Sequence, residues 1–193
     1  MQLALAAAFV SWLLSTYIHH PRVEVNIYSD VVSFWYAVLD PNSGKVPCVD
    51  YFFEYPPAAC FITCVSAVLG GWSIESYYLM FALLSLPSYL ILAWAMSRYA
   101  GPSAIFFMLA PSMVVYGIYN FDHFFAALVA LSLVLFEKRR WLAHLLLGIA
   151  ASVKLFTILL FPVFLLKRDM RSVLRDFLFS LWVSCPWWCP LSR

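Results

Sequence analysis

The chain has 193 residues, 64% of them hydrophobic and 11% charged, with a formal net charge of +2 and a mean hydropathy of +0.86. Soluble domains carry roughly 25% charged residues, so this composition excludes an ordinary soluble domain and fits a multi-span membrane protein. The small net charge gives no argument for nucleic acid. The apolar runs are long and continuous, which excludes the alternating pattern of a membrane β-barrel.

Residues 3–17 are apolar and open the chain. They lack a basic n-region and a clear cleavage site, so they read as a first membrane helix rather than a signal peptide. Residues up to His20 can extend that helix toward the far side of a ~30 Å core. Residues 19–57 form a long first loop. It holds Glu24, Asp30, Asp40, Asp50 and Glu54, half of the acidic side chains of the protein. Its tyrosines, phenylalanines and Trp35 suit a membrane interface. Within it, residues 31–39 predict a short amphipathic helix with Phe34, Trp35 and Val38 on one side. "DPNSGK" then makes a turn, and Pro56 and Pro57 fit the first turn of the next helix.

Further apolar segments follow at 57–71, 76–97, 103–119, 121–136, 141–166 and 172–190. With the first helix this makes about seven. The expectation is an all-α, polytopic transmembrane bundle: one transmembrane domain over 1–193, multi-pass in the cell membrane, with residues 19–57 as its first extracytoplasmic loop. Pro87, Pro111 and Pro162 are expected to kink their helices. No "GxxxG" is present, so packing is not of that dimer type. Two basic clusters, Lys138–Arg139–Arg140 and Lys167–Arg168–Arg171–Arg175, both belong in the cytoplasm by the positive-inside rule. Residues 141–166 then enter and return as a hairpin with Lys154 near its tip. The alternative is one full span that puts one cluster outside.

The five cysteines do not form a disulfide framework on spacing. Cys60 and Cys64, four apart on an apolar helix, read as small packing residues, and Cys48 as a free thiol. Cys185 and Cys189 lack the spacing of a common zinc or redox motif. No metal site and no cofactor is expected.

Four places can carry chemistry. Asp30, soon after the first helix, is a candidate general base; equally, Ser29 or Asp30 can cap the helix that follows. Asp50 and Glu54 in "DYFFEYPP" share a face if that stretch is helical; otherwise they belong to a polar loop, with Tyr51 and Tyr55 as interface anchors. Asn120, Asp122 and His123 make a polar knot between apolar segments. It is either a tight turn or a site that binds hydroxyls or a phosphate. Lys154 is the one charge between Trp141 and Leu166. A lysine within a membrane segment is costly, so it calls for a lipid phosphate or a loop carboxylate as partner, or else it snorkels to an interface.

Three islands together resemble the GT-C superfamily of integral-membrane glycosyltransferases: "YSDVVSFWYAVLDPNSGKVPCVDYFFEYPP", "YNFDHFFAALVALSLVLFEKRRW" and "GIAASVKLFTILLFPVFLLKRD". They are similar in order and spacing to that family's early acidic loop, its N-x-D segment and its lysine-bearing helix. The finer likeness is to the bacterial and archaeal polyprenyl-phosphate-sugar-dependent mannosyl- or arabinosyltransferase-like group. One departure is Thr157, where the helix usually has proline. Members of the group are longer, so the chain is expected to be an N-terminal portion.

The resemblance implies transfer of a sugar, mannose or similar, from a polyprenyl-phosphate donor to a hydroxyl of a lipid, glycan or protein acceptor at the extracytoplasmic face. Asp30 matches the family's base. Asp50, Glu54, Tyr55, Asn120, Asp122, His123 and Lys154 are the expected substrate-binding set. An acceptor hydroxyl needs a base, whereas a lipid-phosphate leaving group needs cations and donors; Arg22, Lys45, His123 and Lys154 are available. The competing reading is a non-enzymatic polytopic membrane protein (a transporter or flippase-like subunit) or an inactive fragment. A transporter would not need an early loop of this size and acidity.

Overall fold

The computed structural model describes residues 1–23 and 27–160. The apolar segment at 172–190, Pro162, the second basic cluster, Cys185 and Cys189 lie outside these residues. The described part is helical, with no strand among its elements. The all-α expectation therefore stands for the described residues.

α1 spans Gln2–Ile18 and buries a stripe of small side chains: Ala4, Ala7, Ala8, Ser11 and Ser15. Spacings of three and four place these on one helical face and let a neighbouring backbone come close. Two polar bonds tie α1 across the bundle. Ser11 Oγ donates to the Met108 carbonyl, and Trp12 Nε1 donates to the Ala82 carbonyl at 2.8 Å.

α2, Asp30–Phe34, runs directly into one π-helical turn, Trp35–Leu39. Together they cover the expected 31–39 helix. Val31, Phe34, Trp35 and Leu39 face the core, and Val38 is only partly buried against it. The wider π turn closes with Asp40 N–H donating to the Trp35 carbonyl at 2.8 Å, which brings Leu39 onto the buried side.

α3, Pro57–Leu69, starts with Pro56 in extended conformation and Pro57 at the first helical position, as proline's fixed φ favours. α4, Ile74–Ala100, is the central helix of 27 residues. Ser73 caps it, and Glu75 in its first turn pairs with Arg22 of the early loop. Pro87 lies inside α4 without ending it. Tyr77, Tyr78, Phe81 and Tyr89 of α4 are fully buried. α1, α3 and α7 pack around it, and α8 packs on α7 and α3.

The apolar segment at 103–119 was expected to be one kinked helix. It is two five-residue helices, α5 (Ala104–Met108) and α6 (Pro111–Val115). Pro111 is the cause. It pushes Ala110 to extended backbone, ψ 140°, because the helical region is disfavoured for the residue before proline. α7, Asp122–Leu135, and α8, Arg140–Val153, complete the bundle. α8 ends where Lys154 turns extended, φ −152° and ψ 124°, and a 3-10 segment, Leu155–Leu160, follows. Residues 141–166 are therefore not one continuous helix. α8 ends at Lys154; the rest of the stretch through 166, and with it the choice between hairpin and full span, lies largely outside the described residues.

Among the described residues one stretch, Ile74–Met108, is long and apolar enough to cross a membrane; Gln2–Ile18, Pro57–Leu69, Asp122–Leu135 and Arg140–Val153 are shorter apolar helices. The cysteine reading needs correction. Cys48 and Cys60 form a disulfide, with Cα atoms 6.1 Å apart, and Cys64 is the free thiol among the described residues. Spacing concealed the pair because one partner lies in the loop and the other on α3. Cys48 takes left-handed backbone, φ 63°. The resulting reversal lets Pro47 and Tyr51 form an isolated β-bridge.

Candidate active site

Besides the Arg22–Glu75 ion pair, the early loop is docked by hydrogen bonds to backbone carbonyls. His19 is fully buried, and its ring nitrogens lie 2.8 Å from the Ile27 carbonyl and 2.7 Å from the Val115 carbonyl. Ser29 caps α2 by accepting from Val31 N–H, and its hydroxyl reaches the carbonyls of Ile118 and Tyr119 at 3.0 and 3.1 Å. Asp30 N–H donates to the Tyr119 carbonyl at 2.9 Å. The loop segment thus lies alongside the turn that precedes α7. Both readings of the "SD" pair were open; Ser29 does the capping, and the Asp30 carboxylate is left for other partners.

That carboxylate meets Tyr55, whose hydroxyl donates to Asp30 Oδ2 at 3.2 Å. The Tyr55 ring sits 5.1 Å from Phe34 and 5.1 Å from Phe121, centroid to centroid. Burial, and then the charge of Asp30, push the Tyr55 phenol above its usual ionisation range. The hydroxyl therefore keeps its proton and stays a donor to the carboxylate.

The polar knot is a turn, and one of its carboxylates pairs with Lys154. Asn120 is buried and its Oδ1 accepts from Asp122 N–H at 2.8 Å, an Asx turn that starts α7. Gly117 allows the knot to lie against α4: a Cβ there would fall 1.5 Å from the Tyr89 hydroxyl, which donates to the Met113 carbonyl at 3.2 Å. Asp122 at the first position of α7 forms an ion pair with Lys154 at the end of α8. The expected acidic partner of Lys154 is thus a carboxylate of the knot. His123 points the other way. Its ring is buried against Phe81, Tyr89 and Phe124. The structure does not bring it to Asp30 or Lys154.

Asp50 and Glu54 are not on a helix. Both are exposed in the turn-rich stretch before α3, so the shared helical face does not form. Asp50 Oδ2 accepts from Val46 N–H at 2.7 Å and closes its own turn. The two carboxylates nevertheless line a cleft of about 950 Å³ whose walls are residues 48–57 with Lys154, Leu155 and Phe156. Lys154 also borders a second hollow of about 530 Å³ beside Asp122, Phe125 and Leu159. It stands between the two. Arg22 is engaged with Glu75 away from the cleft, and Lys45 is not among the cleft residues. Among the described residues no group of three or more His, Cys, Asp or Glu side chains is arranged to hold a metal.

Asp30, Tyr55, Asp122 and Lys154 thus come from all three sequence islands and meet at one end of the bundle. A family model, glycosyltransferase family 87, matches residues 52–189. The chain belongs to glycosyltransferase family 87. The match covers more than two thirds of the chain and includes Tyr55, Asp122 and Lys154; Asp30 lies before it. Comparison with curated proteins and with solved structures returns no match. As a family 87 protein the chain is a glycosyltransferase of the GT-C type, a class of membrane enzymes. The narrower likeness to mannosyl- or arabinosyltransferases is not part of the match.

Phe121 and Phe34 were missed as builders of the site, whereas Ser29 was one of the two caps read from its position before an aspartate and an apolar run. The two phenylalanines carry no distinguishing pattern in a chain with 17 of them.

Proposed function

We propose that this family 87 protein moves a sugar, mannose or a close relative, from a polyprenyl-phosphate donor to a hydroxyl acceptor at the extracytoplasmic face of a multi-pass membrane bundle. The observation that carries the reading is the large cleft walled by Lys154 and Tyr55, with Asp30 bonded to that tyrosine. Asp30 takes the proton as the acceptor oxygen bonds to the anomeric carbon. The bond from that carbon to the donor phosphate oxygen breaks, and its electron pair leaves with the phosphate. Lys154 supplies the cation that a phosphate leaving group needs. Asp122 pairs with that cation and holds it in place. Asp50 and Glu54 at the cleft rim accept hydrogen bonds from sugar hydroxyls. Asn120 supports the site by holding the turn that places Asp122. His123, enclosed in aromatic rings, contributes packing.

Two further facts support the side of the membrane. Disulfides persist in oxidising compartments, and the Cys48–Cys60 bridge sits on the loop that carries the acidic residues. A lipid-linked donor also suits apolar helices that end at a polar cleft. The test is donor class. Membranes containing the full-length protein should transfer label from radiolabelled polyprenyl-phosphate mannose and leave GDP-mannose unused. Transfer from the nucleotide sugar alone would overturn the reading.

A further inference from the structure

We propose that Tyr55 is the positioning residue of Asp30, fixing which carboxylate oxygen receives the acceptor's proton. This rests on the assignment of Asp30 as base. The phenol donates to Oδ2, and an ionised carboxylate has about four lone-pair sites on its two oxygens. One bond to Oδ2 leaves Oδ1 open, and it restricts rotation of the carboxylate about its last torsion, which is otherwise broad. A base held within a few tenths of an ångström and 10–20° of its working geometry is what proton transfer in a site demands.

The tyrosine is itself held from three sides. Phe34, Phe53 and Phe121 flank its ring, at 5.1, 6.1 and 5.1 Å between centroids. Pro56 follows it and limits its backbone to extended conformations. The Cys48–Cys60 bridge closes a covalent loop around it. Phe34 belongs to the same short helix as Asp30, so ring packing and the hydroxyl bond reinforce one orientation. The backbone side of Asp30 is held independently by the Tyr119 carbonyl. Asp30 is therefore fixed at both ends, main chain and carboxylate, by two different parts of the protein. The tyrosine also lines the cleft, so one hydrogen bond separates the Asp30 carboxylate from a cleft wall.

Tyr55→Phe removes only the hydroxyl and keeps the three ring contacts. In the full-length protein, sugar transfer should show kcat lowered by about 10- to 100-fold, the worth of one hydrogen bond to a charged group, with the donor KM within about twofold of wild type and the thermal midpoint unchanged. The deciding measurement is the double variant. If Tyr55 acts through Asp30, Tyr55→Phe on an Asp30→Asn background adds little further loss, because groups that work as a unit are not additive. Full multiplication of the two losses overturns the proposal, as does a raised KM with unchanged kcat, which would make Tyr55 a sugar contact. A fully active Asp30→Asn enzyme would instead sink the base assignment, and with it this inference; that single variant tells the two failures apart.

Discussion

Asp30 and Asp122 occupy the same local position, the first residue of a helix that follows a side-chain-capped turn. Their settings differ. Asp30 meets a neutral phenol, Asp122 a lysine ammonium. A carboxylate satisfied by a neutral donor still has an oxygen and a charge to offer an incoming proton. One neutralised by an adjacent cation has its charge already engaged, and its use is to hold that cation. The supports differ as well. The Asp30 region is short helix and loop, fastened by a disulfide and backbone bonds. Asp122 sits on α7, packed between α4 and α8. In the proposed mechanism the partner across the site, not local sequence position, distinguishes the two carboxylates.

The contrast can be broken most decisively by removing one charge at a time. Asp30→Asn should lower sugar transfer by about 10²–10⁴-fold, the usual worth of a positioned base, with normal membrane insertion. Asn caps helices about as well as Asp, so a capping role for this residue predicts near-normal activity. If Asp122→Asn shows the larger loss in the same assay, the two roles are exchanged.

The difference in fastening is sharpened by opening the disulfide. Cys60→Ser should destabilise the protein by about 3 kcal/mol, the typical worth of a bridge closing a loop of this size, read as a lowered thermal midpoint in detergent. Transfer activity should fall with it at temperatures where the loop opens, while packing of α7 on α4 and α8 is kept. Unchanged stability would show that ring packing and backbone bonds alone hold the loop.

The smallest effect expected is on stability at the ion pair. Lys154 and Asp122 side chains are 33% and 45% exposed, so solvent screens them, and Asp122→Asn should cost about 1 kcal/mol or less. A loss of several kcal/mol, measured by chemical denaturation, would mean the pair is a structural element of the bundle rather than a poised cation.

The sequence showed much of this arrangement, for identifiable reasons. α1, α3, α4, α7 and α8 were legible because unbroken apolar runs and the Pro56–Pro57 start have direct local causes. Lys154 was legible because an isolated charge in an apolar run requires a partner. What was hidden is cross-chain pairing. Nothing near Cys48 announces Cys60 as its mate, and nothing near Asp30 announces Tyr55, 25 residues on. Of the two readings of Asp50 and Glu54 the polar loop holds, because the chain turns at Cys48 and Asp50 instead of continuing as helix. The break at Pro111 was placed correctly as a disturbance, but its consequence, two five-residue helices, depends on α1 packing against both pieces.

Helix length has a consequence for the lipid itself. α3, α7 and α8 have 13, 14 and 14 residues, which at ~1.5 Å per residue gives only about 20 Å of helix each. A bilayer core is ~30 Å thick. In the proposed multi-pass arrangement this hydrophobic mismatch draws the surrounding leaflets inward, since lipid thins around apolar elements that are too short. Headgroups near α8 would then lie deeper than elsewhere in the membrane, shortening the climb of a lipid phosphate toward the end of that helix. The enzyme would work best in thin bilayers, and its rate in vesicles would fall as acyl chains lengthen.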